Sequence, residues 1–189
     1  MKKEIFEKFS EGVRCILLLE RRKDSGTGKS SNCFDRKITT NKQEFFETID
    51  KFEDIKNSYK GNLRIYSSVN SRDISKAIRE FKHEQLEADY YDKESKNGFY
   101  LDLKNRFIHC LMKPRCKAES NFLFDFDGCC DRSFSQICKE IEKHTEIISY
   151  YKTKNGYHVI TKPFNHTKIG NDERFKGVIN TDGLLLISY

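Results

Sequence analysis

No apolar run in this 189-residue chain approaches the roughly 18 to 20 residues that a helix needs to cross a bilayer, which argues against a membrane protein. Met1-Lys2-Lys3-Glu4 leads into mixed acids and bases and not into the apolar segment expected of a signal peptide, so the sequence predicts a cytoplasmic protein with no membrane partner. The seven cysteines contain no Cys-x-x-Cys pair and form an odd set with Cys129 and Cys130 adjacent, a pattern that predicts mostly reduced thiols. The spacing of His109, Cys110, Cys116, Cys129 and Cys130 matches no zinc knuckle or ribbon. Internal repeats, low-complexity tracts and linkers are also lacking, so residues 1–189 predict a single domain. Within it, residues 1–115 form an N-terminal part and residues 116–189 carry the motifs. The stretch Gly26-Thr27-Gly28-Lys29-Ser30 lacks the first glycine of a phosphate-binding P-loop, because Lys23 stands five residues before Gly28. It predicts a hairpin loop that offers Arg21, Arg22, Lys23 and Lys29 to nucleic acid.

What the chain does have is charge and aromatic bulk. Charged residues make up 34% and aromatic residues 13%, which predicts a core of Phe, Leu, Ile and Tyr under a heavily charged surface. A net charge of +6 favours an anionic partner such as nucleic acid, although 29 acids set against 35 bases make the excess modest.

Periodicity predicts strands over Val13 to Glu20, Cys33 to Thr40 and Leu63 to Val69. Between the last two, Asn41 caps a helix with Glu44 at its third position, and Phe45, Phe46, Ile49, Phe52 and Ile55 form its buried stripe. Helices follow from Ile74 and over Tyr100 to Met112, the second closed by Pro114. The remaining chain reads as a strand at Asn121 to Asp127, a helix from Ser133 to His144 and strands over Glu146 to Lys152 and Tyr157 to Lys162. A last apolar stretch runs from Val178 to Tyr189. Asn155-Gly156 is a strong hairpin signal, since both residue types tolerate positive φ.

Chemistry concentrates in Asn121-Phe122-Leu123-Phe124-Asp125-Phe126-Asp127-Gly128. Residues two apart on a strand share a face, so Asp125 and Asp127 project together and repel unless a cation or a proton intervenes. Mg²⁺ or Mn²⁺ answers that repulsion with hard oxygen ligands and would use the same charges to hold nucleotide phosphates. A solvent-facing strand end is the plainer alternative. In the following hairpin His158 and Ile160 share a face, which can be the face of the acidic pair, while Lys152, Lys154 and Lys162 add positive charge and Gly156 lets the backbone approach a nucleotide. A polar hairpin residue with no ligand is the alternative for His158.

This order, Asp-x-Asp, then Asn-Gly-Tyr-His on a hairpin, then a late Asp beside an apolar strand, resembles the archaeo-eukaryotic primase superfamily, including the compact primase-polymerases of mobile elements. The resemblance covers mainly Asn121 to Tyr189. It implies an α/β (α+β) fold with an RRM-like mixed or antiparallel catalytic sheet and flanking helices, in a nucleotidyltransferase that adds NTP or dNTP to a DNA or RNA strand. By position it implies Asp125, Asp127 and Asp182 as catalytic ligands of Mg²⁺ or Mn²⁺ and His158 as a contact to the incoming phosphates. Lys154 and Lys162 are further nucleotide-binding candidates. Arg64, Asn70 and Arg72, clustered at a strand-helix junction, are candidates for contact with template or primer, and replication proteins are candidate partners. Two other readings stand beside it. One is a non-catalytic nucleic-acid- or protein-binding module of the same fold. The other is a haloacid-dehalogenase-type phosphatase, which Phe124-Asp125-Phe126-Asp127-Gly128 also resembles but whose further βα units the last 62 residues do not supply.

Overall fold

The computed structural model describes residues 6–21, 31–91, 98–170 and 172–189. The loop carrying Arg22, Lys23 and Gly26 to Ser30 lies outside the described residues, and Arg21 closes the first strand. The N-terminal part contributes strands β1 (Arg14–Arg21), β2 (Ser31–Thr39) and β3 (Leu63–Ser68), with helices α1 (Lys42–Ser58), α2 (Ile74–Tyr91) and α3 (Leu103–Met112). The motif region contributes β4 (Phe122–Asp127), α4 (Asp131–Glu142), β5 (Ile147–Lys152), β6 (Gly156–Thr161), β7 (Ile179–Asn180) and β8 (Leu184–Ser188).

The fold is mixed α/β with two antiparallel sheets where one catalytic sheet was expected. Their strand orders are β2-β1-β3-β8 and β5-β6-β4-β7. The last apolar stretch splits to make this possible. Ile179–Asn180 pairs with β4, the chain turns through Thr181 to Gly183, and Leu184–Ser188 leaves for β3 in the other sheet. Two strands of one segment thereby tie the two sheets together.

Alternation along β4 divides the core. Leu123 faces the first sheet and joins Ile160, Tyr151, Ile16, Leu18, Leu63, Ile65, Leu185 and the α1 residues Phe45, Ile49 and Phe52 in one cluster. Phe122, Phe124 and Phe126 point the other way, onto Phe134, Ile137 and Ile141 of α4. Each such fully buried side chain contributes about 1.5–3 kcal/mol, so both faces of β4 are held by burial. The face toward the first sheet is apolar at its Leu123 end and acidic at its Asp125 and Asp127 end.

Local signals act as expected at α1, where Asn41 Oδ1 accepts from the Glu44 amide at 2.9 Å and Glu44 Oε2 accepts from the Thr40 amide at 2.8 Å. The Asn155-Gly156 turn is a correction. Gly156 has no positive φ; it belongs to β6 opposite Asp127, and the connection runs through Thr153 to Asn155. Its requirement for glycine is one of space, because a Cβ there would lie 1.8 Å from the Phe126 carbonyl oxygen. Gly156→Ala must therefore push β6 away from β4, and urea unfolding is expected to show a loss of about 3 kcal/mol or more.

Candidate functional site

The β4–β6 register sets Asp125 opposite His158 and Asp127 opposite Gly156. Because directly paired residues share a face, His158 stands on the acidic face, with its Nε2 3.1 Å from Asp125 Oδ1. The two differ in depth, the His158 side chain being 8% exposed and that of Asp125 45% exposed. Asp127, one step nearer the strand end, is exposed. A buried imidazole thus supports a carboxylate that reaches solvent.

Above this pair lies a pocket of about 260 Å³ lined by Asp125, Asp127, Thr153, Lys154 and Asn155 from the second sheet and by Arg64, Leu186 and Tyr189 from the first sheet's side. It adjoins a space of about 420 Å³ that shares Arg64, Lys154, Asn155 and Tyr189 and adds Asn62 and Leu63. The two carboxylates therefore face two cations, one from each sheet, across a cleft of small-ligand size. Such a cleft can bind a polyanion through Arg64 and Lys154 and a hard cation through Asp125 and Asp127.

His158 is held from behind by Tyr151, its cross-strand partner on β5. The Tyr151 hydroxyl lies 2.7 Å from His158 Nδ1 and donates to the Leu186 carbonyl oxygen at 2.8 Å, so it touches both sheets at once. Burial, with the nearby Asp125 carboxylate adding to it, pushes the Tyr151 phenol well above its usual pKa and keeps it protonated.

The structure brings together Asp125, Asp127, His158, Lys154 and Arg64. It does not bring Asp182 to them. Asp182 accepts two hydrogen bonds from Arg72, at 2.8 Å and 3.0 Å, and a longer one from Asn70 Nδ2 at 3.4 Å. Asn70 in turn brackets Asn121 at the start of β4, donating to its carbonyl oxygen at 3.1 Å and accepting from its amide at 2.5 Å. Four residues of strand, about 13 Å, separate that end from Asp125. Asn70, Arg72 and Asp182 are hence a buried joint between the sheets. Lys162 also lies at that far end, its amide bonded to the Glu146 carbonyl. Lys152 is on the opposite face, paired with Asp131 at 2.8 Å beside Tyr157.

Tyr151, Thr153, Asn155, Leu186 and Tyr189 were missed. Pairing Lys152 with Tyr157 across the hairpin would have set Tyr151 opposite His158. Leu186 and Tyr189 carried no such signal, because their place depends on β8 crossing to the other sheet.

Among the described residues no three His, Cys, Asp or Glu side chains gather as a metal cage. The donor set still suits Mg²⁺ or Mn²⁺, since Mg²⁺ is commonly held by one or two carboxylates together with substrate phosphates and water. Among the described residues no cysteine lines the pocket. Burial pushes Cys15 up to about 12 and, as the largest cause, Cys110 and Cys138 up to about 11, which leaves them protonated and unreactive. Comparison of the chain with family models, with curated proteins and with solved structures finds no match.

Two expectations follow from these contacts. Arg72→Ala leaves the 10% exposed Asp182 carboxylate without its guanidinium, and urea denaturation should show a loss of about 3–5 kcal/mol. The Tyr151 contribution has a pH signature. Its folded pKa lies above the unfolded value of about 10, so the contribution is complete below that pH and declines as the unfolded chain ionises. The stability gap between wild type and Tyr151→Phe should accordingly be constant up to about pH 9 and narrow above about pH 10 in urea titrations.

Proposed function

We propose that the chain is a metal-dependent nucleotidyltransferase of primase-polymerase type, which adds NTP or dNTP to a DNA or RNA strand. The observation that carries this reading is the convergence of Asp125, Asp127, Lys154 and Arg64 on one cleft, with His158 paired to Asp125 beneath it. The strand order of the second sheet supports the RRM-like part. Its elements run strand, helix, strand, strand, strand with every neighbouring pair antiparallel, and the first strand, β4, lies centrally between the third and the fourth. The same antiparallel neighbours weigh against the phosphatase reading, which needs β4 to start a series of βα units.

In this reading Asp125 and Asp127 hold Mg²⁺ or Mn²⁺ in company with the nucleotide phosphates. When bound, the ion supplies a lowered pKa at the attacking 3′-hydroxyl and charge compensation on the departing pyrophosphate. Lys154 and Arg64 bind phosphate oxygens from the two walls, Arg64 through a planar fork suited to two parallel hydrogen bonds. His158 Nδ1–H faces the Tyr151 hydroxyl oxygen, whose own proton goes to the Leu186 carbonyl, so it is the doubly protonated ring that donates from Nε2 to Asp125 or to a phosphate oxygen at the cleft floor.

A second reading is favoured by one observation. The late carboxylate, Asp182, is paired with Arg72, which leaves two acidic residues at the cleft and suits a non-catalytic nucleic-acid- or protein-binding module. Incubation with labelled NTPs or dNTPs, Mg²⁺ or Mn²⁺ and primed or unprimed templates separates the two. Incorporation by wild type that falls at least about a hundredfold in folded Asp125→Asn/Asp127→Asn supports transfer. No incorporation by folded wild type, together with nucleic-acid binding that is unchanged in the same variant, supports the module.

A further inference from the structure

His158 serves the site only while its ring presents a nitrogen to Asp125. Nothing in the ring's own torsional preference secures that, because χ2 of histidine is broad and nearly two-fold, and a half-turn exchanges Nε2 for a carbon. Three features around the ring bear on its orientation. Its Nε2 is 3.1 Å from Asp125 Oδ1. Its Nδ1 is 2.7 Å from the Tyr151 hydroxyl. The Tyr151 ring meets the imidazole edge-on, with centroids 5.1 Å apart and an interplanar angle of 69°.

Asp125 cannot be the anchor if it is to bind a cation, since its exposed carboxylate then redirects its lone pairs. Tyr151 can. It is 8% exposed, packs edge-on against Phe6 at 5.6 Å, and its hydroxyl is tied at 2.8 Å to the backbone of β8. That backbone atom belongs to Leu186, a residue of the opposite pocket wall. The hydroxyl therefore references the imidazole to both sheets.

We propose that Tyr151 is a positioning residue, whose hydroxyl fixes the ring orientation of His158 so that Nε2 stays directed at Asp125 and the cleft when a nucleotide binds. The inference rests on the nucleotidyl-transfer reading for its purpose, but the orientation itself is a property of the free protein. Tyr151→Phe keeps the aromatic packing and deletes the hydroxyl's two contacts, at His158 Nδ1 and at the Leu186 carbonyl oxygen, of which only the first acts through His158.

The test has two arms. In ¹⁵N-edited NMR of the nucleotide-free protein, wild-type His158 should show one fixed set of ring nitrogen signals with an exchange-protected ring N–H. Tyr151→Phe should lose that protection and average the signals while its amide spectrum stays dispersed. Unchanged His158 signals in folded Tyr151→Phe would overturn the proposal whatever the protein's activity. In the second arm, dNTP binding with Mn²⁺ is measured for wild type, Tyr151→Phe, His158→Ala and the double variant. The hydroxyl deletion should weaken binding about three- to tenfold with His158 present and leave it unchanged without it. Equal losses in both backgrounds would overturn the proposal in favour of a merely structural tyrosine. If wild type binds no nucleotide, the functional reading fails while the first arm still decides the orientation.

Discussion

The register of β4 against β6 is the constraint on which the rest of this structure depends. Setting Asp127 opposite Gly156 brings Asp125 opposite His158, and alternation then turns Leu123, Asp125 and Asp127 toward the other sheet while three phenylalanines bury against α4. A slip of one residue would send both carboxylates into that aromatic core and expose the phenylalanines. Gly156 helps to hold the register, since it alone among residue types fits under the Phe126 carbonyl. The same contact that aligns the strands therefore aligns the acidic pair.

The second layer of organisation is the approach of two sheets. Their shared core reaches from α1 through Leu18 and Ile65 to Leu123 and Ile160, and it gives way to a polar cleft at the acidic end of β4. The sheets are joined by β8, by the buried Arg72–Asp182 pair and by the Tyr151 hydroxyl on Leu186. Buried ion pairs contribute little net stability but are costly to break, so Arg72 and Asp182 act chiefly to specify how the sheets meet. An aspartate that follows a short strand can serve a joint or a site, and here its guanidinium partner assigns it to the joint.

Much of the motif region was legible because local rules govern it. Alternation gave Asp125 and Asp127 a common face, and the Asn41 cap with its aromatic stripe gave α1. The hairpin was legible in extent but not in geometry, since sequence alone made Gly156 a turn residue when its role is close approach between strands. The pairing of Tyr151 with His158 could have been read by counting back from Lys152 and Tyr157. The division into two sheets was not legible. The segment after Val178 reads as one strand end, and only tertiary packing splits it and sends Leu184–Ser188 to β3. For that reason Leu186 and Tyr189 had no signal, and Asp182, Asn70 and Arg72 read as site residues although they meet each other at the sheet joint.

The central claim is that Asp125 and Asp127 form a metal-nucleotide site with Arg64 and Lys154. Its most direct test is a crystal of the protein grown with Mn²⁺ and a non-hydrolysable dNTP analogue, with anomalous scattering used to locate the metal. The account predicts Mn²⁺ within about 2.2 Å of an Asp125 and an Asp127 oxygen, sharing phosphate oxygens with a triphosphate that reaches Lys154 and Arg64. Triphosphate density elsewhere on the molecule, or Mn²⁺ seated away from both aspartates, would contradict it.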